Sequence, residues 1–239
     1  MGLLDAYEVR ARAAPALIVS LPAIAALLLF VYSISQSLAQ LVGSGIVLLV
    51  VIYALSFLVR HLGKEIQPGL YESWGGLPST RFMRWRDNHF DYETKTELHQ
   101  AAGNFANVTL LSQADEQKDS VEADKRIERA FDKVKESVRQ EHPNGVSFKH
   151  NAEYGFHRNL LGSRTVWLGV AVVSAVFCMA AWIITGSTLL LAGAVIDVLF
   201  GVWAVAWGWF FLQRFVKEAA DSYADSVWNA FLVDSKKSR

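Results

Sequence analysis

Asp197 stands out among the charged residues of this sequence because it interrupts a long uncharged stretch. Two segments, Ala13 to Val59 and Thr165 to Gln213, contain no Lys or Arg, and Asp197 is their only acidic residue. A carboxylate at the middle of an apolar helix in a membrane costs about 2.5–3.5 kcal/mol, so it must face protein or water rather than lipid. Such residues mark ion or proton paths, or they take part in helix packing as a protonated or hydrogen-bonded side chain.

Small residues recur at helical spacing around Asp197, which indicates a face suited to close helix contact. Two interpretations stay open. The face could line a pore in an oligomer, where Asp197 would favour cations, or it could be a helix-packing face. The residues predicted to share this face with Asp197 are Gly193, Gly201, Ala204 and Gly208.

A second candidate is the segment Arg81 to Arg86, in which three arginines alternate with aromatic residues. Guanidinium groups pair with phosphates, and aromatic rings stack on bases. The pattern predicts an anionic ligand such as a nucleotide, a single-stranded nucleic acid or anionic lipid head groups. The alternative is an amphipathic interfacial segment without a specific ligand. The residues predicted to contact the ligand are Arg81, Arg84, Trp85, Arg86 and Arg158.

Motifs for catalysis or for tightly bound groups are not evident. The sequence contains no Walker loop, HExxH, GxSxG or dinucleotide-binding pattern. The acidic run from Asp115 to Glu141 is mixed with Lys and Arg and contains no His or Cys at ligand spacing, which favours a solvated helix face over a metal site. We therefore expect no enzyme activity, no cofactor and no metal site.

The elements that must position these residues are four apolar segments, each near the roughly 20 residues that a membrane-spanning helix requires. They are residues 15–35, 42–59, 166–185 and 188–213. The links from Gln36 to Gln40 and at Gly186-Ser187 are short, so each pair of spans is predicted to form a helical hairpin. The hairpins flank a polar segment.

The distribution of Lys and Arg predicts the orientation of the chain. Two such residues precede the first span, sixteen lie between the second and third, and five follow the fourth. The predicted hairpin tips carry none. We therefore expect both termini and the polar segment to lie in the cytoplasm.

These boundaries define the expected organisation of an all-α integral membrane protein. Residues 1–60 hold the first hairpin, 61–164 a helical cytoplasmic domain, 165–213 the second hairpin and 214–239 a cytoplasmic C-terminal helix. Within the cytoplasmic domain, helices are expected from Tyr92 to Leu111 and from Val121 to Gln140. The second helix carries an apolar seam that could pack on the preceding helix or on another subunit. The seam residues are Ile127, Phe131, Val134 and Val138.

Two segments carry a resemblance. The stretch NAEYGFHRNLLG from Asn151 to Gly162 and the stretch GGLPSTRFMRWRD from Gly75 to Asp87 resemble an uncharacterised bacterial family of four-span membrane proteins. In architecture, the chain is also similar to Hailong-type membrane effectors of anti-phage systems, described as ion channels held shut by a DNA oligomer. This second likeness is an analogy that carries no site residues over. The resemblance implies a location in the bacterial inner membrane.

Together these features lead us to expect an oligomeric, ligand-gated ion channel or pore in the inner membrane, controlled by its cytoplasmic helices and acting in anti-phage defence. Its expected partners are the lipid bilayer, further copies of the chain, a nucleotide or single-stranded oligonucleotide, and a protein encoded nearby. The alternative is a membrane-anchored scaffold or adaptor that docks a cytoplasmic partner through the seam from Ile127 to Val138. A membrane enzyme ranks last because catalytic motifs are missing.

Overall fold

The computed structural model describes residues 6–35 and 38–237, and every regular element within these ranges is helical. The all-α prediction is therefore confirmed. A helical turn at Ala6–Glu8 and two π-helical segments, Val9–Ala13 and Ala206–Phe211, accompany the α-helices. The α-helices, numbered here in chain order, are α1 (Ala14–Ser35), α2 (Leu38–Glu65), α3 (Gln67–Ser73), α4 (Pro78–Met83), α5 (Tyr92–Ala106), α6 (Gln113–Lys118), α7 (Ser120–Glu141), α8 (Val146–Gly162), α9 (Arg164–Thr185), α10 (Thr188–Val205) and α11 (Leu212–Lys237).

The chain divides into two compact units, each built from two separate segments. The apolar unit comprises Met1–Gln67 and Gly155–Val216. The polar unit comprises Pro68–Tyr154 and Lys217–Arg239. Most of α11 therefore belongs to the same unit as the helices of the polar segment.

Four helical stretches are long and apolar enough to cross a membrane, and each overlaps one of the predicted spans. They are Val9–Ile34, Gly45–Met83, Arg164–Thr185 and Thr188–Lys237. Gly186 ends α9 in a left-handed conformation, with φ of 70°, and its N–H bonds to the carbonyl of Trp182. The first predicted tip, at Gln36 to Gln40, lies partly outside the described residues.

The surface of these helices is apolar over long distances. Only 11–33% of the residues in the most apolar window of each stretch are buried. Soluble proteins rarely expose continuous apolar surface on this scale. It is compatible with a lipid environment, where no water would order around it. Among the exposed side chains are Ile46, Val50 and Tyr53 on α2, Val173, Val176 and Ile184 on α9, and Val195, Leu199 and Val202 on α10.

Within the apolar unit, α1 is the central packing element. It packs against α2, α9 and α10, and α9 packs along α10. A hydrogen bond of 3.1 Å joins the hydroxyls of Ser33 and Ser187, so the end of α1 lies beside the turn between α9 and α10. Since α1 touches all three other long helices, it holds the face of α10 that carries Asp197 inside the unit.

At its other end, the apolar unit contains a very close helix crossing. A Cβ at Gly162 of α8 would lie 2.6 Å from the backbone N of Gly63 and from the carbonyl of Leu62, both on α2. Beside it, Asn159 is buried and donates from Nδ2 to the backbone O of Ala11 at 2.7 Å. The motif that carries the family resemblance therefore includes residues that let three chain segments meet.

The polar unit has its own core, formed by α5, α7 and α11. The seam residues Ile127, Phe131, Val134 and Val138 are all buried in this core. The seam packs on Leu98 and Ala102 of α5 and on α11, which contains Trp228. Of the two alternatives for the seam, packing within the chain is therefore correct, and the seam is not available for docking a partner.

We expect Gly162→Ala to destabilise the protein by about 1–3 kcal/mol, because the added methyl would overlap the backbone of α2. Gly169→Ala provides the matched control. A Cβ at Gly169 of α9 has nothing within 4 Å, and Ala is the better helix former, so this variant should be as stable as wild type or slightly more. Thermal unfolding in detergent would measure both, and equal losses in the two variants would contradict the crossing.

Candidate functional site

Asp197 lies on the inner face of α10. Its side chain is 1% exposed, and its Oδ2 is 3.8 Å from the Sγ of Cys178 on α9. Its Oδ1 is buried without a hydrogen-bond partner among the described residues. An unpaired carboxylate oxygen in an apolar interior is costly to bury.

The small residues predicted to share this face are buried with Asp197: Gly193, Gly201, Ala204 and Gly208. A Cβ at Gly193 would lie 2.8 Å from Cδ1 of Leu29 on α1 and 3.2 Å from Sγ of Cys178. At Gly208, a Cβ would approach Cβ of Arg164 to 3.0 Å. At Gly193 and Gly208 the face is therefore closely packed within one chain, as the second interpretation of these residues requires.

An apolar groove of about 620 Å³ opens between α9 and α10. Of the twelve residues that line it, Asp197 is the only charged one. The others include Leu168, Ala171, Gly201 and Phe210. The carboxylate is thus buried at the edge of a surface depression rather than in the middle of the packed helices.

In the arginine segment of the polar unit, Arg81 and Arg84 are bonded within the protein. Arg81 donates from Nη2 to Oδ1 of Asp221 at 3.0 Å. Arg84 forms a two-pronged pair with Asp124, in which Nε and Nη2 donate at 2.8 and 2.7 Å. The third donor of Arg84, Nη1, contacts the carbonyl O of Gly75 at 2.6 Å. These contacts stabilise the polar unit and leave few donors for a ligand.

Gly76 accommodates the Arg84 side chain. It has φ of 123°, and a Cβ there would lie 2.6 Å from Nη2 of Arg84. Only glycine adopts this conformation easily and leaves room for the guanidinium group. The Gly75-Gly76 turn in the resemblance segment is therefore explained by the arginine that packs over it.

Trp85 and Arg86 are placed differently, at a small pocket of about 230 Å³. Arg86 is exposed, and no described residue forms an ion pair or hydrogen bond with its side chain. The indole of Trp85 is fixed by its Nε1–H, which donates to the carbonyl O of Leu111 at 2.9 Å. The remaining residues that line the pocket are polar: Gln113, Glu116, Gln117 and Ser120. Of the predicted arginines in this segment, Arg86 is the one whose donors are free for a ligand.

Three buried polar residues hold the backbone of this segment, and the sequence analysis did not single them out. Lys95 donates from Nζ to the carbonyl oxygens of Arg84 and Asp87. His99 bonds through Nε2 to the carbonyl O of Met83 at 2.8 Å, and Glu116 accepts from the backbone N–H of Trp85 at 3.0 Å. The only signal in the sequence is that polar residues occupy the inner faces of predicted helices.

Burial also changes the ionisation of two of these groups. Desolvation lowers the pKa of Lys95, although the negative charges of Asp87 and Glu116 oppose this shift. Desolvation likewise lowers the pKa of His99, which keeps its imidazole neutral near pH 7. A neutral ring donates to the Met83 carbonyl without the cost of a buried charge.

Arg158, the fifth predicted contact for the anionic ligand, belongs to the apolar unit. Its side chain is buried and donates to Oδ1 of Asn159 at 3.0 Å and to Oε1 of Gln67 at 3.2 Å. It supports the same Asn159 that bonds to Ala11. Its bonds place it in the helix crossing, as part of the packing of that unit.

No protein-family model matches this chain, and searches of curated proteins and of solved structures gave no match either. The interpretation of its sites therefore rests on the residues and their geometry.

We expect Arg84→Ala to cost about 3 kcal/mol of unfolding free energy, because it leaves Asp124 partly buried and unpaired. Arg86→Ala should change stability by less than about 0.5 kcal/mol, because its side chain is exposed and unbonded. Denaturant unfolding followed by tryptophan fluorescence would measure both. An equally stable Arg84→Ala variant would show that the pair with Asp124 is not structural.

Proposed function

We propose that the chain is a multi-pass protein of the bacterial inner membrane, with two helical hairpins and with both termini and the polar unit in the cytoplasm. The lipid-compatible surface of the four long helices supports this topology, as does the location of all Lys and Arg outside the predicted hairpin tips. The bond between Ser33 and Ser187, at one end of the apolar unit, is consistent with tips that share one side of the membrane.

We further propose that this protein forms an oligomeric cation pore, and the observation that carries the proposal is the buried, half-satisfied carboxylate of Asp197. A second copy seated in the groove between α9 and α10 would cover this residue from lipid. In an oligomer with rotational symmetry, the same groove recurs at every subunit boundary. Carboxylates repeated around one axis would attract cations.

The test of the pore is conductance in planar bilayers with purified protein. Wild type should conduct cations in preference to anions, and Asp197→Asn should lose most of that preference because the charge is gone. Gly169→Ala on α9 is the control, because Gly169 does not line the groove and an added Cβ there has nothing within 4 Å, so conductance should persist.

Two results would contradict the pore. One is a wild-type protein that stays monomeric in detergent and shows no conductance with or without oligonucleotide. The other is an Asp197→Asn variant with unchanged cation preference.

The proposed control of this pore is an anionic ligand at the pocket of Trp85 and Arg86. Arg86 would pair with a phosphate, and the polar groups of Gln113 and Gln117 line the same pocket. The shared chemistry of the candidate ligands is a phosphate group beside a ring that can stack, as in a nucleotide or a single-stranded oligonucleotide. We expect α11, which contributes residues to both units, to couple the ligand to the pore.

Fluorescence anisotropy with a labelled oligothymidylate, and with ATP as competitor, tests this ligand. Arg86→Ala should weaken binding about tenfold or more, since a charge-assisted hydrogen bond contributes about 1.5–3 kcal/mol. Arg139→Ala removes an equal charge from an exposed ion pair with Glu136 and should bind like wild type. Equal weakening in both variants would indicate only nonspecific attraction, and no binding by wild type would exclude both probes.

The adaptor hypothesis loses its proposed docking surface, because the seam from Ile127 to Val138 is buried in the polar unit. No other observation favours an adaptor over a pore.

A further inference from the structure

Three potential metal ligands meet near the C-terminal end of α7. Glu141, His142 and Asp234 each offer one ligand atom, and these atoms all lie within 4.8 Å of one another. The Nε2 of His142 is 2.7 Å from Oδ2 of Asp234. The side chain of His142 is 40% exposed and that of Asp234 is 19% exposed, so an ion can reach the cluster from solvent.

The local fold holds these side chains in place. Glu141 is the last residue of α7, and His142 caps the helix with its backbone N–H bonded to the carbonyl O of Val138. The chain then turns, and the N–H of Gly145 bonds back to the carbonyl O of His142 at 3.0 Å. Because a Cβ at Gly145 would crowd Cβ of His142 at 2.9 Å, glycine allows this tight turn. Asp234 comes from the last turns of α11.

The electrostatics of the cluster favour a cation. α7 ends close to it at Glu141, and the carbonyl end of a helix carries partial negative charge. Nζ of Lys237 lies 3.5 Å from Oδ1 of Asp234 and already neutralises part of this negative charge.

We propose that Glu141, His142 and Asp234 bind a divalent transition-metal ion, with Zn²⁺ the best fit to one imidazole nitrogen and two carboxylate oxygens. Mg²⁺ and Ca²⁺ prefer all-oxygen sites, so the histidine argues against them. Three protein ligands leave a position for water. The metal would link the end of α7 to α11.

The open coordination position adjoins a groove in the protein surface. This groove of about 650 Å³ is lined by His142, Asp234, His150 and polar residues of α11 such as Ser226 and Asn229. A ligand in this groove could reach both the metal and these side chains. This site is separate from Asp197 and from the pocket of Arg86, so it stands or falls independently of the proposed pore.

The test uses full-length protein in detergent, stripped with chelator and without a histidine tag. Zn²⁺ binding is measured by competition with a chromophoric chelator and by equilibrium dialysis. Wild type should bind one equivalent per chain, and His142→Ala and Glu141→Gln should each weaken binding by at least about 100-fold. His61→Ala is the control, because His61 pairs with Glu65 on α2 but lacks a third ligand among the described residues. It should bind like wild type.

Stability measurements separate a metal site from a simple ion pair. Added Zn²⁺ should raise the melting temperature of wild type and of His61→Ala but not that of Glu141→Gln, whose exposed side chain leaves folding intact. Wild-type protein that binds no Zn²⁺ up to 100-fold excess, or variants at Glu141 and His142 that bind as tightly as wild type, would overturn the proposal. The second outcome would indicate adventitious binding only.

Discussion

The apolar surface of the four long helices is the constraint on which the rest of the structure depends. Side chains such as Ile46 and Ile184 belong to a long apolar surface that is compatible with a lipid environment. In that environment, every backbone and side-chain polar group must find its partner inside the protein. The short turn at Gly186 and the bond between Ser33 and Ser187 are consistent with this requirement, whereas Oδ1 of Asp197 has no partner among the described residues.

The same requirement explains why the helix crossing near Asn159 is so compact. Polar atoms at the end of the apolar unit are satisfied by Asn159, Arg158 and Ser163, all buried on or next to α8. Direct backbone contact at Gly162 leaves no room for water between α2 and α8. The motif from Asn151 to Gly162 thus has a packing explanation, which separates it from the question of what the protein binds.

Helical content, the four long apolar helices and the seam of α7 could be predicted from the sequence, because each depends on the composition or periodicity of one segment. The exact helix ends and the pairing of charged side chains could not be predicted. The helix expected to run to Leu111 ends at Ala106, because Asn107 adopts a left-handed conformation with φ of 52°. Which arginines between Arg81 and Arg86 are paired depends on acids distant in sequence. Asp124 pairs with Arg84, and Asp221 pairs with Arg81. Likewise, Asp234 meets His142 across 92 residues, which composition cannot reveal.

Burial of Asp197 limits how this residue can serve a pore. Because it is 1% exposed and its Oδ2 lies 3.8 Å from Sγ of Cys178 on α9, it cannot simply face a wide central channel. A path that uses this carboxylate would run along the boundary between a second copy and the groove of α9 and α10, where Asp197 is the only charged lining residue. Lipid in that groove would leave the acid beside hydrocarbon, whereas a second copy could bring polar or small groups to it. In the proposed oligomer, the second copy would separate this buried carboxylate from the lipid.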